Sequence, residues 1–548
     1  MKIGSRVFWV KAMLLLILCM VAVIIRADGG NAPSRAVLAS VGSPRPIVAA
    51  FYYAWYGNPT FNGQWIHWEQ NGHSPPQDIG SDYYPLLGAY SSRDPAVLAQ
   101  HMAWLRQAGI QLIIVSWWGQ GSREDQAVPG LLAQAANYGI KVAFHVEPYF
   151  GRSAAGLVND VKYIYAHYGS SPAFFRTTSP SRHSPNNKAK GLFFLWGTGI
   201  QYFDGPTVDA AYWRAAIDQI HALPDGGLVF ADQPDAALID AGHFDGEYAS
   251  SLWPWPFGWE QALLCWANSL PSGAWFVPVA TPGFSANRVD YPPDTYRPRD
   301  GGRTYDEQWR AMLETGVTPH IASIATFNEW HEGTQIEPAA AGRTDGHGYT
   351  YLSYDLGPTQ YLSATAQWVQ TMPEMLVPLC TGTVSVTLKA RNISRGLYQH
   401  DWEDGLTEPA TIGGREARRA IPNVPGFVHF VYFWVNNDFH TSAVVSVRVT
   451  VEYYNSGTGS LWLDYDSADA SLPFGGAYKR SSDIYLTGTN QWRTATLDLP
   501  DAFFGSRQNG GADFRICGLG TYYISRVTVT KLGFTCHRRY LPLLVRGY

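Results

Sequence analysis

Cysteine and charge are both scarce in this chain. Five cysteines in 548 residues, with no C-x-x-C pair among them, argue against a zinc finger or ribbon. Charged side chains make up 16% of the residues, and 45 acidic against 40 basic groups leave a formal net charge of −5. Neither a basic stripe for nucleic acid nor an acidic tail is present, so no nucleic-acid partner is expected. A Gly-rich phosphate turn is missing after the first strand-like run, where Tyr52-Tyr53-Ala54-Trp55-Tyr56 stands instead, and this disfavours an open dinucleotide-binding sheet. The apolar run from Ala12 to Ile25 is 14 residues long, short of the roughly 20 that a membrane span needs. Lys2, Arg6 and Lys11 precede it and Arg26-Ala27-Asp28 follow, the pattern of an export signal. Residues 1–27 are therefore expected to be a signal peptide of a secreted protein. A retained N-terminal anchor is the alternative, since Ile25-Arg26-Ala27 is a poor cleavage site. Residues 28–45 read as a linker.

What the chain does have is length and aromatic rings. At 548 residues it is too long for one ordinary core, so two or three domains are expected. Aromatic residues reach 14%, with 21 Trp and 32 Tyr. Large aromatic cores account for this, and so does sugar binding, because pyranose rings present flat C–H faces that stack on Trp and Tyr. Export permits disulfides. Cys517–Cys536 is the best-placed pair and Cys380–Cys536 its rival.

Between residues 46 and about 375, apolar runs alternate with helix-like segments. The runs are Ile47–Ala54, Leu112–Trp118, Lys141–Pro148, Gly191–Trp196, Leu228–Asp232, Phe244–Ala249, Ala274–Ala280 and His320–Phe327. Their near-continuous apolarity suits parallel strands covered on both faces. Helical spacing marks the segments between them. Asp94-Pro95 starts one, with Leu98, Met102 and Leu105 repeating until Gly109. Others are Gln126–Tyr138, Gly156–Tyr168, Val208–Leu223, Glu260–Leu270, Asp306–Thr315 and Thr359–Met372, with a short one at Pro234–Ala241. Eight strand–helix units predict a (β/α)8 TIM barrel over 46–378. Beyond Cys380 the period changes to two, as in Val445, Val447, Val449 and Val451 alternating with Ser446, Arg448 and Thr450. An antiparallel β-sandwich over 379–548 is expected. It is either carbohydrate-binding, with Trp462, Tyr465 and Trp492 as a stacking face, or a packing module.

Barrel active sites lie at the C-terminal ends of the strands. Those ends carry Tyr53, Trp118, His145 and Glu147, Tyr248, and Phe327-Asn328-Glu329-Trp330-His331-Glu332, with His67 and Arg288 in adjoining loops. Carboxylates at such a position cost several kcal/mol unless compensated. His331-Glu332 begins like the zinc motif H-E-x-x-H, but Gln335 stands where the second His belongs, so no metal or other cofactor is expected. Either Glu can cap a following helix. Two carboxyl groups beside aromatic platforms also supply what glycoside hydrolysis requires, a proton donor to the leaving oxygen and a second group acting on the other side.

The stretches FYYAWYGNP, YYPLLGAYSSRDP, SWWG, FHVEPYFGR and EWHEGTQIEP resemble glycoside hydrolase family 99, the endo-α-1,2-mannosidases and mannanases, over about residues 46–375. The resemblance implies a retaining, metal-free (β/α)8 hydrolase acting on α-mannan or mannose-rich glycans. In that scheme Glu329 is the base toward the sugar's own 2-hydroxyl, which attacks C1 to give a 1,2-anhydro sugar, and Glu332 is the general acid/base. Tyr53 or His145 is expected to hydrogen-bond Glu329 and keep it ionised. Trp118 is implied to pack against the sugar in the −2 subsite and to favour mannose there over glucose. His67, Glu147, Tyr248 and Arg288 are implied ligands of sugar hydroxyls, with a buried structural role as the alternative. Asn328 is expected to orient Glu329. Ser285-Ala286-Asn287 stands where the family pattern has acidic residues, which puts the outer subsites in doubt. A non-catalytic sugar-binding barrel and a barrel glycosidase of other specificity are the remaining alternatives.

Overall fold

The computed structural model describes residues 46–533 apart from 180, 184–187, 199–207, 233–234, 249–262, 264–265, 268, 290–295, 315–317, 376–381, 391, 402–403, 422–426, 436–438 and 440–443. The N-terminal segment expected to direct export and the cysteines Cys265, Cys380 and Cys536 lie outside the described residues. The chain divides into two compact units, Met1–Gln370 and Thr371–Tyr548.

The first unit is built on parallel strands: β1 Ile47–Tyr52, β2 Leu112–Trp117, β3 Lys141–Val146, β4 Leu192–Leu195, β5 Leu228–Ala231, β6 Gly246–Tyr248, β7 Trp275–Val277, β8 Val279–Ala280 and β9 Ile321–Ile324. They are hydrogen-bonded in the order β7-β6-β5-β4-β3-β2-β1-β9-β8. Pro278 alone separates β7 from β8. Proline has no N–H for the ladder, so the run expected over Ala274–Ala280 is split in two. One part pairs with β6 and the other with β9, and Pro278 O accepts from Ser323 N at 3.0 Å. The sheet thereby closes into the eight-membered barrel that the sequence predicts.

Alternation along the strands sorts side chains between the interior and the helix layer. Phe51 of β1 meets His145, Phe194 and Tyr248 across the barrel, at ring separations of 5.0, 6.3 and 5.6 Å. Its neighbour Tyr52 points the other way, its hydroxyl 2.9 Å from Nδ1 of His101 on the helix Pro95–Gln107. The same parity sends Tyr53, Ser116, Trp118 and Glu147 toward the inner rim. Several strands end earlier than their apolar runs. At the rim, side-chain bonds replace the ladder: Tyr53 N–H donates to Asn328 Oδ1 at 2.7 Å, and Asn328 Nδ2 donates to Tyr53 O at 2.8 Å.

Helix starts follow their caps. Asp94 accepts from Ala96 N ahead of Pro95, as expected. Ser122 and Ser153 start Arg123–Tyr138 and Ala154–Tyr168 slightly before the expected positions, because each hydroxyl accepts from the N–H three residues on. Asp209 and Asp235 cap Ala210–Ala222 and Ala236–Ala241 in the same way.

Among the described residues the second unit is a pair of antiparallel sheets of seven and six strands, around a core that includes Val431, Phe433, Val449, Val451, Leu463 and Ile516. One expectation is corrected here. Trp462 and Tyr465 lie on the strand Thr458–Tyr465 of one sheet, three residues apart and so on opposite faces, while Trp492 belongs to the other sheet. Tyr465 is buried in the core and Arg480 sits 3.8 Å over the Trp462 ring, so the three form no common stacking face. Cys517 is a buried thiol with Sγ 3.2 Å from Asp464 Oδ2; Cys536 and Cys380, the other members of the expected pairings, lie outside the described residues. The outward position of Cys517 on the strand Phe514–Leu519 places it under the Asp464–Arg515 ion pair.

Candidate active site

The loop after β9 is held closed by its own backbone. Thr326 N–H donates to Thr334 O, Ile336 N–H to Thr326 O and Glu337 N–H to Phe327 O, at 3.0, 3.0 and 2.8 Å. Gly333 takes φ +61°, and a Cβ there would lie 2.5 Å from Ser285 O, so only glycine fits. Glu329 N–H donates to Thr326 Oγ1 at 2.8 Å, and Glu332 O accepts from Ser285 N at 2.8 Å. Both carboxylate-bearing residues are therefore fixed at the backbone.

Their surroundings differ. Glu332 is half-buried, whereas Glu329 is 2% exposed. One oxygen of Glu329 accepts from His331 N–H at 3.0 Å, and the other, Oε2, is buried with no hydrogen-bond partner. Burial, and then the charge of Glu332, hold the Glu329 carboxyl well above the usual carboxylate range, against the expectation that neighbouring donors keep it ionised. The donor to Glu329 is thus the backbone of His331 and not His145, whose Nε2 is committed to Tyr248 Oη at 2.6 Å.

A wall of rings leads from this pair. Trp55 stacks on His67 at 4.5 Å and 18°, and its ring centroid is 4.7 Å from Tyr53, 6.4 Å from Trp118 and 6.3 Å from His331. Tyr53, Trp55, His67 and Trp118 are all half-buried, as a cleft lining should be. His67 has φ +66°, a left-handed conformation uncommon outside glycine. Burial, with His331 and Arg123 nearby, depresses its pKa to about 3. Burial likewise lowers His331 to about 4. His331 Nδ1 is 2.6 Å from Gly80 O, an acceptor only, so Nδ1 carries the proton and Nε2 is an acceptor. That Nε2 is buried and without a partner. Two buried acceptors in one aromatic cluster, Glu329 Oε2 and His331 Nε2, match the hydroxyl donors of a sugar.

Glu147 and Trp118 are joined by a relay. Trp118 Nε1 donates to Ser116 Oγ at 3.1 Å, and Ser116 Oγ donates to Glu147 Oε1 at 2.8 Å. His145 Nδ1 lies 2.9 Å from the same Glu147 oxygen. Tyr53, Trp118, His145, Glu147 and Tyr248 thus come together with the Glu329–Glu332 pair, and Asn328 ties the ends of β1 and β9. Arg288 stands apart. Its guanidinium donates to Ile79 O at 3.0 Å, pairs with Asp78 and with Asp345 at 3.4 Å, and lies 4.0 Å over the Tyr349 ring. It fastens three loops to one another. Ser285 Oγ and both nitrogens of Asn287 bond Asp82 Oδ2 at 2.6–2.9 Å, so that segment is likewise committed to the fold.

Sequence reasoning passed over the layer beneath. Glu337 is fully buried; its Oε2 accepts from Tyr90 Oη at 2.8 Å and Trp330 Nε1 at 2.9 Å, and its Oε1 is 3.1 Å from His101 Nε2. Tyr90 in turn receives Asn328 Nδ2 at 3.3 Å. The third Glu of the EWHEGTQIEP stretch was visible, but nothing local says that it faces the helix layer.

A parallel barrel presenting two adjacent carboxylates at its C-terminal rim, inside an aromatic wall, defines the class: a glycoside hydrolase. Comparison with known proteins narrows it. Residues 45–374 match the family model described as glycosyl hydrolase family 99, and the chain belongs to that family. It is 35% identical over 361 residues to a Mus musculus glycoprotein endo-alpha-1,2-mannosidase, covering 59% of this chain and 74% of the relative. A Homo sapiens glycoprotein endo-alpha-1,2-mannosidase-like protein is 35% identical over 367 residues, with 59% and 74% covered. Among solved structures, the GH99 endo-alpha-mannosidase from Bacteroides thetaiotaomicron superposes with a TM-score of 0.52 at 31% identity, over 60% of this chain and 98% of that one.

Proposed function

We propose that the protein is a retaining, endo-acting α-mannoside hydrolase that cleaves internal α-1,2 linkages of mannan or mannose-rich glycans. In an α-mannoside the 2-hydroxyl is axial and trans to the leaving group, so O2 can attack C1 from behind. Glu329 takes the O2 proton; the C1–O2 bond forms as the glycosidic C1–O bond breaks, and Glu332 protonates the departing oxygen. Glu332 then removes a proton from water, which opens the 1,2-anhydro ring at C1 while Glu329 returns its proton to O2. Two inversions leave the anomeric configuration retained. The observation that carries this reading is the partnerless buried Oε2 of Glu329 beside Glu332: an alcohol proton is what that oxygen lacks, and a raised pKa makes it a stronger base. His67 and Glu147 supply the polar lining and Trp118 the stacking face, with His145 and Tyr248, bonded to each other, buried behind them. The charged and apolar N-terminal segment fits export of such an enzyme to its glycan.

The test is Glu332→Gln with a mannan-derived oligosaccharide, following the anomeric form of the first product by NMR. Turnover should collapse while glycan binding and the melting temperature stay near wild type, and wild type should release the α-anomer first. Full activity in the variant, or an initial β-anomer from wild type, refutes the scheme.

A further inference from the structure

Phe150 is 94% exposed, more than any other large apolar side chain among the described residues. Single exposed apolar residues are ordinary on protein surfaces. This one is held in place on the rim of the site. It follows Glu147 by three residues at the C-terminal end of β3, in a turn closed by Arg152 N–H donating to Tyr149 O at 3.0 Å, with Gly151 at φ +84°. The turn is pinned on both sides. Tyr149 Oη bonds Asp160, and the Tyr149 ring lies against Gly119, the residue after Trp118, where a Cβ would come within 3.3 Å of the ring. Arg152 donates to Val146 O, Trp196 O and Gly197 O at 3.1, 2.6 and 3.1 Å, which ties the turn to the ends of β3 and β4. Much of the entropic cost of ordering this loop has thus been met within the fold, so a ring displayed at its tip binds with little further loss. Trp55 is 6.3 Å from His331 and 6.4 Å from Trp118, and the residue after Trp118, Gly119, backs on the Tyr149 ring beside Phe150.

We propose that Phe150 is a stacking platform for a mannosyl unit beyond the one packed on Trp118, an outer subsite through which the enzyme selects longer glycans. The inference rests on the α-mannoside reading above. A pyranose C–H face on an exposed phenyl ring carried by a pinned turn is the contact the geometry offers, and it contributes to binding rather than to chemistry.

The experiment compares wild type, Phe150→Ala and Phe150→Trp on a size-graded ladder of mannan-derived oligosaccharides, using the full chain. Phe150→Ala should lower kcat/KM on the longest oligosaccharides by about 2- to 10-fold, the scale of one aromatic contact. The loss should sit in KM, leave the shortest cleaved substrate unchanged, and be reversed in Phe150→Trp. Equal rates at every length, or equal loss at every length, overturn the proposal. So does a change of sedimentation coefficient in Phe150→Ala, which would make the ring a contact between copies of the chain. If wild type leaves the whole ladder intact, the α-mannoside reading itself fails, a result distinct from the others.

Discussion

Replacing Glu329 by Gln should do two opposite things, remove activity and add stability. The isosteric amide preserves shape and keeps an acceptor for His331 N–H, which the wild-type carboxylate takes at 3.0 Å. What it removes is the charge beside Glu332; the amide nitrogen takes the buried place of Oε2, so one unsatisfied polar atom remains in both proteins. A tenfold change in a carboxyl's proton affinity corresponds to about 1.4 kcal/mol of stability once the group is ionised in both states. Relief of that size should raise the melting temperature by a few degrees. The sign with pH follows from the raised carboxyl. The native state holds a proton that the unfolded chain releases at about pH 4.3, so wild-type stability falls as pH rises from there through the raised value. Glu329→Gln lacks this titration. Its advantage should therefore be near zero at low pH, grow through that window and level off above it. Thermal melts of both proteins across a pH series measure this directly. Hydrolysis of mannan oligosaccharides should meanwhile fall by about 10²- to 10⁴-fold, the worth of a positioned base. A variant that is less stable at alkaline pH, or whose gain does not vary with pH, would show that the carboxylate is satisfied in the fold. Retained turnover would remove it from the base role.

Two further outcomes follow from the geometry. Glu337→Gln should lower kcat by about tenfold with KM little changed, since Glu337 touches the loop through Trp330 and Tyr90 and not the cleft; Glu337→Asp should restore part of the rate, and a pure KM effect would contradict a positioning role. Trp118→Ala should raise KM by about 2- to 10-fold through loss of a stacking face, and Trp118→Tyr should narrow the preference for mannose over glucose at the neighbouring sugar, read as the ratio of kcat/KM for paired substrates.

How far residue patterns alone reach is clearest in the barrel. Buried parallel strands need apolar residues on both faces, and helices between them carry caps such as Asp94 and Ser153, so the repeat of eight units is written locally. The carboxylate pair was legible for the same reason: Glu329 and Glu332 are costly at a strand end unless they have work to do. The sandwich was readable only in part. Strands such as Thr407–Ile412 and Arg415–Ala420, the latter carrying Arg415, Arg418 and Arg419, have no clean alternation and become strands by pairing with each other across Gly413-Gly414.

Side-chain commitments are the part that sequence could not decide. Arg288 had the composition of a sugar ligand, yet its partners Asp78 and Asp345 come from distant loops, and their charges fasten it to the fold. His145 looked available to Glu329, until closure of the barrel set Tyr248 2.6 Å away. Glu337 is 236 residues along the chain from His101 and 247 from Tyr90, and it joins them in one buried cluster only because the helix layer folds back on β1. Fold class and the presence of a carboxylate pair at the end of the last strand follow from local periodicity and from the cost of burying charge, both properties of neighbouring residues. Which oxygen of Glu329 lacks a donor, and which cations are already spent on the scaffold, depend on contacts between residues remote in sequence, and those exist only once the barrel has closed.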